Sequence, residues 1–174
     1  MSKGLLVINA GSSSIKFSVF ALAAKRDLAL VCRGVLESIG EESPRFKAFD
    51  HAGTVLADVR PTPPSGQYRK AGADHRRRAT DAPSVSSDGE VYDHQIALRD
   101  LLDWLDKKPE LPEIVAAGHR VVHGGKEFSD PQRLTPEIMA RLETFIPLAP
   151  LHLSLIHISE PTRRTPISYA VFCL

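Results

Sequence analysis

The hydrophobic and polar positions near the start of the chain predict a β-hairpin. Residues 5–8 form a short continuous apolar run, which is typical of a strand covered on both faces. Residues 15–19 alternate between apolar and polar, which predicts a second strand with one solvent-exposed face. The segment from Asn9 to Ser14 consists of small turn-forming residues, so we expect it to join the two strands directly.

Three further strands are predicted before residue 60. Residues 28–35 carry the apolar pattern of a third strand, and residues 45–49 and 55–59 carry a weaker one. The turn-like residues 50–53 separate the last two segments.

The second half of the chain alternates between helix and strand patterns. Apolar residues at helical spacing predict an amphipathic helix closed by Pro109 and Pro112, with a buried stripe of Tyr92, Ile96, Leu98, Leu101, Leu102 and Leu105. Residues 114–122 predict a strand that is interrupted at 118–120. Thr135 and Pro136 predict the start of a second helix, which Pro147 ends and whose buried face is Ile138, Met139, Leu142 and Phe145. This order indicates an α/β fold with a mixed sheet.

The stretch from Arg60 to Gly89 is rich in Pro, Gly, Ser and charged residues, which predicts a long exposed loop. The basic run at residues 75–78 lies within it. A single short run of this kind is typical of solvated surface, although it could also bind an anion.

Composition and charge narrow the class of protein. The chain has 174 residues, 43% of them hydrophobic and 25% charged, as in an ordinary globular protein. Its net charge of +1 argues against general binding to nucleic acid or to a membrane surface. The two cysteines, Cys32 and Cys173, exclude a disulfide scaffold. With no apolar run long enough for a membrane span or a signal peptide, we expect a cytoplasmic protein.

The turn between the first two strands has the composition of a phosphate-binding loop. Gly11 permits a tight turn and a close approach to a ligand, and Ser12 and Ser13 add hydroxyl and amide donors. Lys16 supplies a positive charge, and Asn9 an oxygen suited to a hard cation or its bound water. The loop does not match a Walker A motif, because no Gly-Lys-Ser/Thr follows and a strand comes next. An ordinary Gly/Ser turn remains the alternative.

The second motif is Gly118-His119-Arg120-Val121-Val122-His123-Gly124-Gly125. An arginine at a strand end beside a Gly-Gly turn can hold a carboxylate or phosphate in bidentate fashion. The histidines stand at no spacing that predicts a metal site.

Together with Leu148-Ala149-Pro150-Leu151-His152, the loop from Asn9 to Phe17 and the Gly118–Gly125 motif resemble the acetate kinase family. The resemblance runs from residue 5 to residue 152. It implies an actin/hexokinase-like (ribonuclease H-like) fold, in which this mixed-sheet domain is the first of two and is incomplete. It also implies reversible, Mg²⁺-dependent phosphoryl transfer between ATP and acetate in a homodimeric enzyme.

The same resemblance assigns roles to individual residues. Asn9 matches the magnesium-linked asparagine, Lys16 the nucleotide-contacting lysine, and Arg120 the arginine that holds the acyl substrate. Val122 and Leu151 match positions that line the pocket for the acetate methyl group. A pocket of this type discriminates chain length by only about 1–3 kcal/mol per methylene, so propionate and butyrate kinases remain alternatives.

The resemblance places the family's catalytic aspartate beyond this chain, which therefore carries no catalytic residue itself and is expected to be inactive alone. A non-catalytic phosphate- or nucleotide-binding module is the alternative from another functional class.

Residues 153–174 have no steady helical or strand period. They are similar to the conceptual translation of a sequencing adapter, with residues 164–166 at the junction between its two arms. We therefore expect the natural sequence to stop matching the chain after His152, so that residues 1–152 form the domain and residues 153–174 a non-native tail.

Overall fold

A computed structural model of the chain describes residues 2–23, 27–63, 68, 70, 90–121, 127–128, 130–145 and 168–173, with only the backbone for residues 121 and 168–173. The described residues form eight strands and two helices. In chain order these are β1 (Lys3–Ala10), β2 (Ser14–Leu22), β3 (Leu28–Glu37), β4 (Arg45–Asp50), β5 (Val55–Val59), α1 (His94–Asp106), β6 (Glu113–Val121), β7 (Gln132–Arg133), α2 (Pro136–Glu143) and β8 (Ser168–Cys173).

All eight strands belong to one sheet in the order β5-β4-β3-β2-β1-β6-β8-β7. The strands β1 to β5 are joined by antiparallel pairing of consecutive strands. β6 lies parallel to β1 and to β8. The predicted mixed sheet is therefore confirmed, and β1 is a central strand with a partner on each side.

The alternation along the first hairpin determines which face is buried. Ile15, Phe17 and Val19 of β2 are fully buried, whereas Lys16 between them is exposed. On β1 the even-numbered residues are buried, whereas Lys3 is exposed and the other odd-numbered residues are half-buried. The continuous apolar run at 5–8 thus has one face in the core and the other only partly covered, which corrects the expectation of two covered faces.

Helix α1 closes the buried face of the sheet. Its Ala97, Leu101 and Leu105 belong to the same apolar cluster as β1 and β2. The Asp93 carboxylate accepts a hydrogen bond from the Ile96 N–H at 2.8 Å and caps the helix. The predicted stripe is confirmed as a core face, although the helix begins only after Tyr92.

Trp104 of α1 fits edge-on against two rings of the sheet, with centroid distances of 6.2 Å to Phe17 and 5.2 Å to Phe46. Gly34 makes room for this cluster, because a Cβ there would collide with the Phe17 ring and the Lys47 carbonyl oxygen.

Two of these expectations, the interruption of β6 and the exposure of the long loop, are wrong in part. β6 runs without interruption through Gly118, because that residue pairs with Val7 of β1 and with Ala170 of β8. The segment after Arg60 is not uniformly exposed: Pro63 and Tyr68 are buried, and Tyr68 forms a bridge to Glu90. The basic run at 75–78 lies outside the described residues.

Within the predicted tail, residues 168–173 form β8 between β6 and β7. This segment contains Tyr, Val and Phe, which favour strands, and it pairs with the free edge of β6. Pairing along an open strand edge can outweigh a poor sequence period. That this segment is non-native stays a prediction.

The second helix begins as predicted, since the Thr135 hydroxyl accepts a hydrogen bond from the Ile138 N–H at 3.3 Å. Only Leu142 of its four predicted core residues is fully buried, and the other three are half-buried. Among the described residues, no helix has the length and apolar character needed to cross a bilayer.

Candidate active site

Three of the predicted site residues lie side by side on adjacent strands. Asn9 of β1 is the Cα partner of Lys16 on β2 and of Arg120 on β6. Directly opposed residues on neighbouring strands project from the same face of a sheet, so the three side chains form one row. We call this Lys16–Asn9–Arg120 arrangement the polar row. Adjacent strands are about 4.8 Å apart, which places the Lys16 and Arg120 backbones about 10 Å apart.

The polar row occupies the sheet face opposite α1. The residues that flank Asn9 and Lys16 in sequence, such as Ile8 and Phe17, point into the core with α1. Lys16 and Arg120 are exposed and Asn9 is half-buried. Two cationic side chains on backbones about 10 Å apart, with a neutral amide between them, can hold the oxygens of a polyanion.

The two cations of the row have no ion-pair partner in the part of the chain that the structure describes. Within the described part of the chain, no carboxylate lies within ion-pair distance of Lys16 or Arg120. Other basic residues of the sheet are engaged: Arg45 forms a bidentate pair with Asp58, and Lys47 is paired with Glu37. The Arg45 guanidinium correspondingly lowers the pKa of the Asp58 carboxyl.

The predicted phosphate loop lies at the same end of the sheet. It follows the last pair of the β1–β2 hairpin, Ala10 and Ile15, which is adjacent to the Asn9–Lys16 pair. The Gly11 N–H donates to the Ser14 carbonyl at 2.7 Å and closes the turn. Ser12 and Ser13 at its tip are exposed.

The conformational argument for Gly11 is not supported by the structure. The positive φ values of the described glycines belong to Gly40 and Gly53. A Cβ on Gly11 would meet only the Ser14 Oγ and carbonyl oxygen, at the ordinary distances of 3.5 and 3.7 Å. The turn therefore does not require glycine, and the remaining reason for one is the approach of a ligand to the backbone.

Two elements remote in sequence hold the carbonyl groups of this loop. Ile39, in the turn after β3, donates its N–H to the Ser13 carbonyl at 3.0 Å. His94, the first residue of α1, places its Nε2 at 2.7 Å from the Gly11 carbonyl oxygen. Sequence reasoning missed both residues. A polar residue just after a helix cap is a common surface pattern, so the sequence carries no signal that would have singled out His94.

The donor set fits a magnesium ion that is bound mainly through nucleotide phosphates. No cluster of three or more His, Cys, Asp or Glu residues occurs among the described residues. Mg²⁺ characteristically keeps several waters and takes few protein ligands beside substrate phosphates. The Asn9 amide oxygen, between two cations, would complete such a shell without adding negative charge.

His119 is separated from the polar row although it is the neighbour of Arg120. It pairs with Ile8 and is buried on the core face, with 4% of its surface exposed. Burial lowers the pKa of its imidazole to about 4. The imidazole is neutral at pH 7, and we assign it a place in the core. The predicted pocket residues Val122 and Leu151 lie outside the described residues.

Comparison with known proteins identifies the family of this chain. The profile of the acetokinase family matches residues 68–165. The chain belongs to this family. It is 38% identical over 157 residues to the acetate kinase of Methylocella silvestris, and 33% identical over 156 residues to the propionate kinase of Yersinia enterocolitica. These alignments cover 87% of the chain but only 33% and 31% of the relatives, so the chain spans about a third of their length.

Solved structures of the acetokinase family share the fold. Porphyromonas gingivalis acetate kinase superposes with a TM-score of 0.66 at 24% identity, covering 99% of this chain and 37% of that one. A propionate kinase from Francisella tularensis superposes with the same TM-score at 22% identity. The actin/hexokinase-like fold implied by the sequence is therefore confirmed.

Proposed function

We propose that this chain supplies the phosphate loop and the acyl-substrate arginine of an ATP-dependent kinase that phosphorylates acetate. The observation that carries the proposal is the polar row, in which a lysine and an arginine flank an asparagine beside a Ser-rich loop and have no carboxylate partner among the described residues. The family membership and the acetate kinase relatives support it.

The polar row suits in-line transfer between a carboxylate and a triphosphate. Arg120 would hold the acetate carboxylate, one oxygen of which attacks the γ-phosphorus as the bond to the β–γ bridging oxygen breaks. The products are acetyl phosphate and ADP, and the electron pair of the broken bond stays on ADP. Lys16 would hold the phosphate oxygens that gather charge. Magnesium, which Asn9 would help to hold, neutralises phosphate charge when bound.

We further propose that Gly11, Ser12 and Ser13 contact the nucleotide phosphates and that Val122 and Leu151 line the acyl pocket. The whole protein would be a cytoplasmic homodimer with a second domain that supplies the catalytic groups. Propionate is the second candidate substrate, because a propionate kinase is among the relatives and an apolar pocket separates homologous acids weakly.

The test is a substrate panel on the full-length enzyme obtained by resequencing the source locus beyond the codon for His152. We expect ATP-dependent acyl phosphate formation with the highest kcat/KM for acetate. A higher kcat/KM for propionate or butyrate would show that acetate is not the preferred substrate. If no acid yields an acyl phosphate, the proposed kinase activity is refuted. The 174-residue chain, run in parallel, should be inactive; a compact monomer that binds Mg–ATP in ultracentrifugation would instead favour a binding module.

A further inference from the structure

The loop Gly11–Ser13 carries two exposed serines at its tip, yet two of its carbonyl oxygens are bound by residues of other elements. The His94 Nε2 lies within hydrogen-bond distance of the Gly11 carbonyl oxygen, at 2.7 Å. The Ile39 N–H donates a hydrogen bond to the Ser13 carbonyl oxygen at 3.0 Å. The turn that carries Ile39 is itself fixed, because the Gly40 N–H donates to the Tyr92 carbonyl at 2.8 Å, two residues before His94. The two residues that contact the loop, His94 and Ile39, are therefore themselves linked through the Gly40–Tyr92 hydrogen bond.

The direction of the Gly11 carbonyl sets the direction of the next amide. The described part of the chain contains no cis peptide bond. In a planar trans peptide the C=O and the following N–H point in opposite directions. The Gly11 carbonyl points toward His94 of α1, so the Ser12 N–H points away from that helix, and the polar row lies on the sheet face opposite α1. Within the described residues, no backbone carbonyl accepts a hydrogen bond from the Ser12 N–H.

We propose that His94 is a positioning residue for the phosphate loop: by donating from Nε2 to the Gly11 carbonyl, it aims the Ser12 N–H at the nucleotide phosphates. This inference rests on the proposed function. A carbonyl oxygen can only accept, so the proton must be on Nε2. The neutral tautomer with hydrogen on Nε2 makes the same hydrogen bond as the imidazolium, and the contact therefore does not require a charged histidine.

An oriented amide matters because a flipped peptide would present a carbonyl oxygen to the phosphates. A preorganised donor needs no rearrangement when the anion binds. Loss of the His94 hydrogen bond leaves the loop free to adopt both orientations, which weakens phosphate binding by about tenfold if the bound orientation falls to a tenth of the population. The acyl site at Arg120 lies on another strand and should not change.

The variants are His94→Ala, His94→Gln and, as a matched control on the same helical turn, Gln95→Ala. The glutamine side chain amide can replace the Nε2 donor, and Gln95 is exposed. Hydrogen exchange of the Gly11–Ser14 amides is measured in the 174-residue chain. KM for ATP, KM for acetate and kcat are measured in the full-length enzyme.

We expect His94→Ala to speed exchange of the Gly11 N–H, which is protected by its hydrogen bond to the Ser14 carbonyl, and to raise KM for ATP about tenfold with KM for acetate unchanged. His94→Gln should restore both values, and Gln95→Ala should change neither. Unchanged exchange in His94→Ala, equal losses in the alanine and glutamine variants, or a parallel rise in KM for acetate would each overturn the inference. If the wild-type full-length enzyme makes no acyl phosphate, the proposed function fails, and the exchange data alone still decide whether His94 orders the loop.

Discussion

Asn9 and Arg120 are direct neighbours across the parallel strands β1 and β6. They come from two motifs that are far apart in the sequence, and α1 lies between their strands in chain order. The crossover that makes β6 parallel to β1 therefore also brings the loop motif and the arginine motif together. Lys16 lies on the other side of Asn9, on β2. The β1–β2 and β1–β6 pairings together therefore set the spacing of the polar row.

Replacing Arg120 by alanine should lower kcat/KM for acetate about 100-fold in the full-length enzyme, because a charged hydrogen-bond donor to a carboxylate is lost. KM for ATP should change far less. Arg33→Ala is the matched control, since Arg33 is an exposed arginine on the same sheet face, opposite Ser18. Equal losses in the two variants would show that the effect is a general one of surface charge.

Gly11→Ala should weaken the binding of a ligand at the loop without lowering the stability of the fold. Because a Cβ at this position meets only ordinary contacts, we expect the melting temperature to stay within about 2 °C of the wild type, as for other surface substitutions. Affinity for Mg–ATP should fall, since the methyl group occupies space beside the loop backbone.

Gly34→Ala provides the opposite case, because its Cβ would collide with the Phe17 ring and with backbone. We expect a loss of about 3 kcal/mol or more in the free energy of unfolding. Calorimetry of both variants checks the pair. A large loss of stability in Gly11→Ala would show that the loop requires glycine for its own geometry.

The strands and helices that local pattern specifies were predictable from the sequence, and the contacts that tertiary pairing creates were not. The alternation at Ile15, Phe17 and Val19 and the Thr135–Pro136 helix start follow from local rules and are confirmed. The uninterrupted path of β6 through Gly118 depends on two neighbouring strands that the local sequence does not reveal.

The same division holds for the site. Asn9, Lys16 and Arg120 were identified from residue type and motif, but their common row depends on register between distant strands. His94 was missed because its contact is with a backbone carbonyl, which any residue sequence provides.

Stability of the chain should fall in acid because of His119. The pKa of its imidazole is about 4 in the folded chain and 6.5 as its ordinary value, so the unfolded chain binds the extra proton between these values. Stability is therefore full above pH 6.5 and is lost as the pH falls toward 4, by about 3 kcal/mol in all.

His119→Gln removes this titration while keeping a polar side chain. We expect urea unfolding at pH 7 and pH 4.5 to show a smaller acid loss in the variant than in the wild type. Carboxyl groups that also titrate contribute equally to both proteins. Identical pH slopes would show that the pKa of His119 does not change on folding.

Long-read resequencing of the source locus across the codon for His152 tests the tail. We expect the genomic frame to leave the sequence of residues 153–174 and to continue into a longer protein. In that case β8 pairs with β6 through a segment that the natural protein does not contain. Finding the codons for 153–174 continuous with the gene would show that the segment is native.

Two irregularities in the central strands lie away from the site. The register shifts at Gly4/Leu5 in the β1–β6 pair and at Val19/Phe20 in the β2–β3 pair, whereas the pairs around Asn9 and Lys16 are regular. A slip of one residue would turn Lys16 into the core. The irregularity at Val19/Phe20 lies between the distal β2–β3 turn and Lys16, so it can absorb a change in the length of that turn before the change reaches the polar row. The sheet therefore has one end that tolerates a change in strand length and one end on whose register the polar row depends.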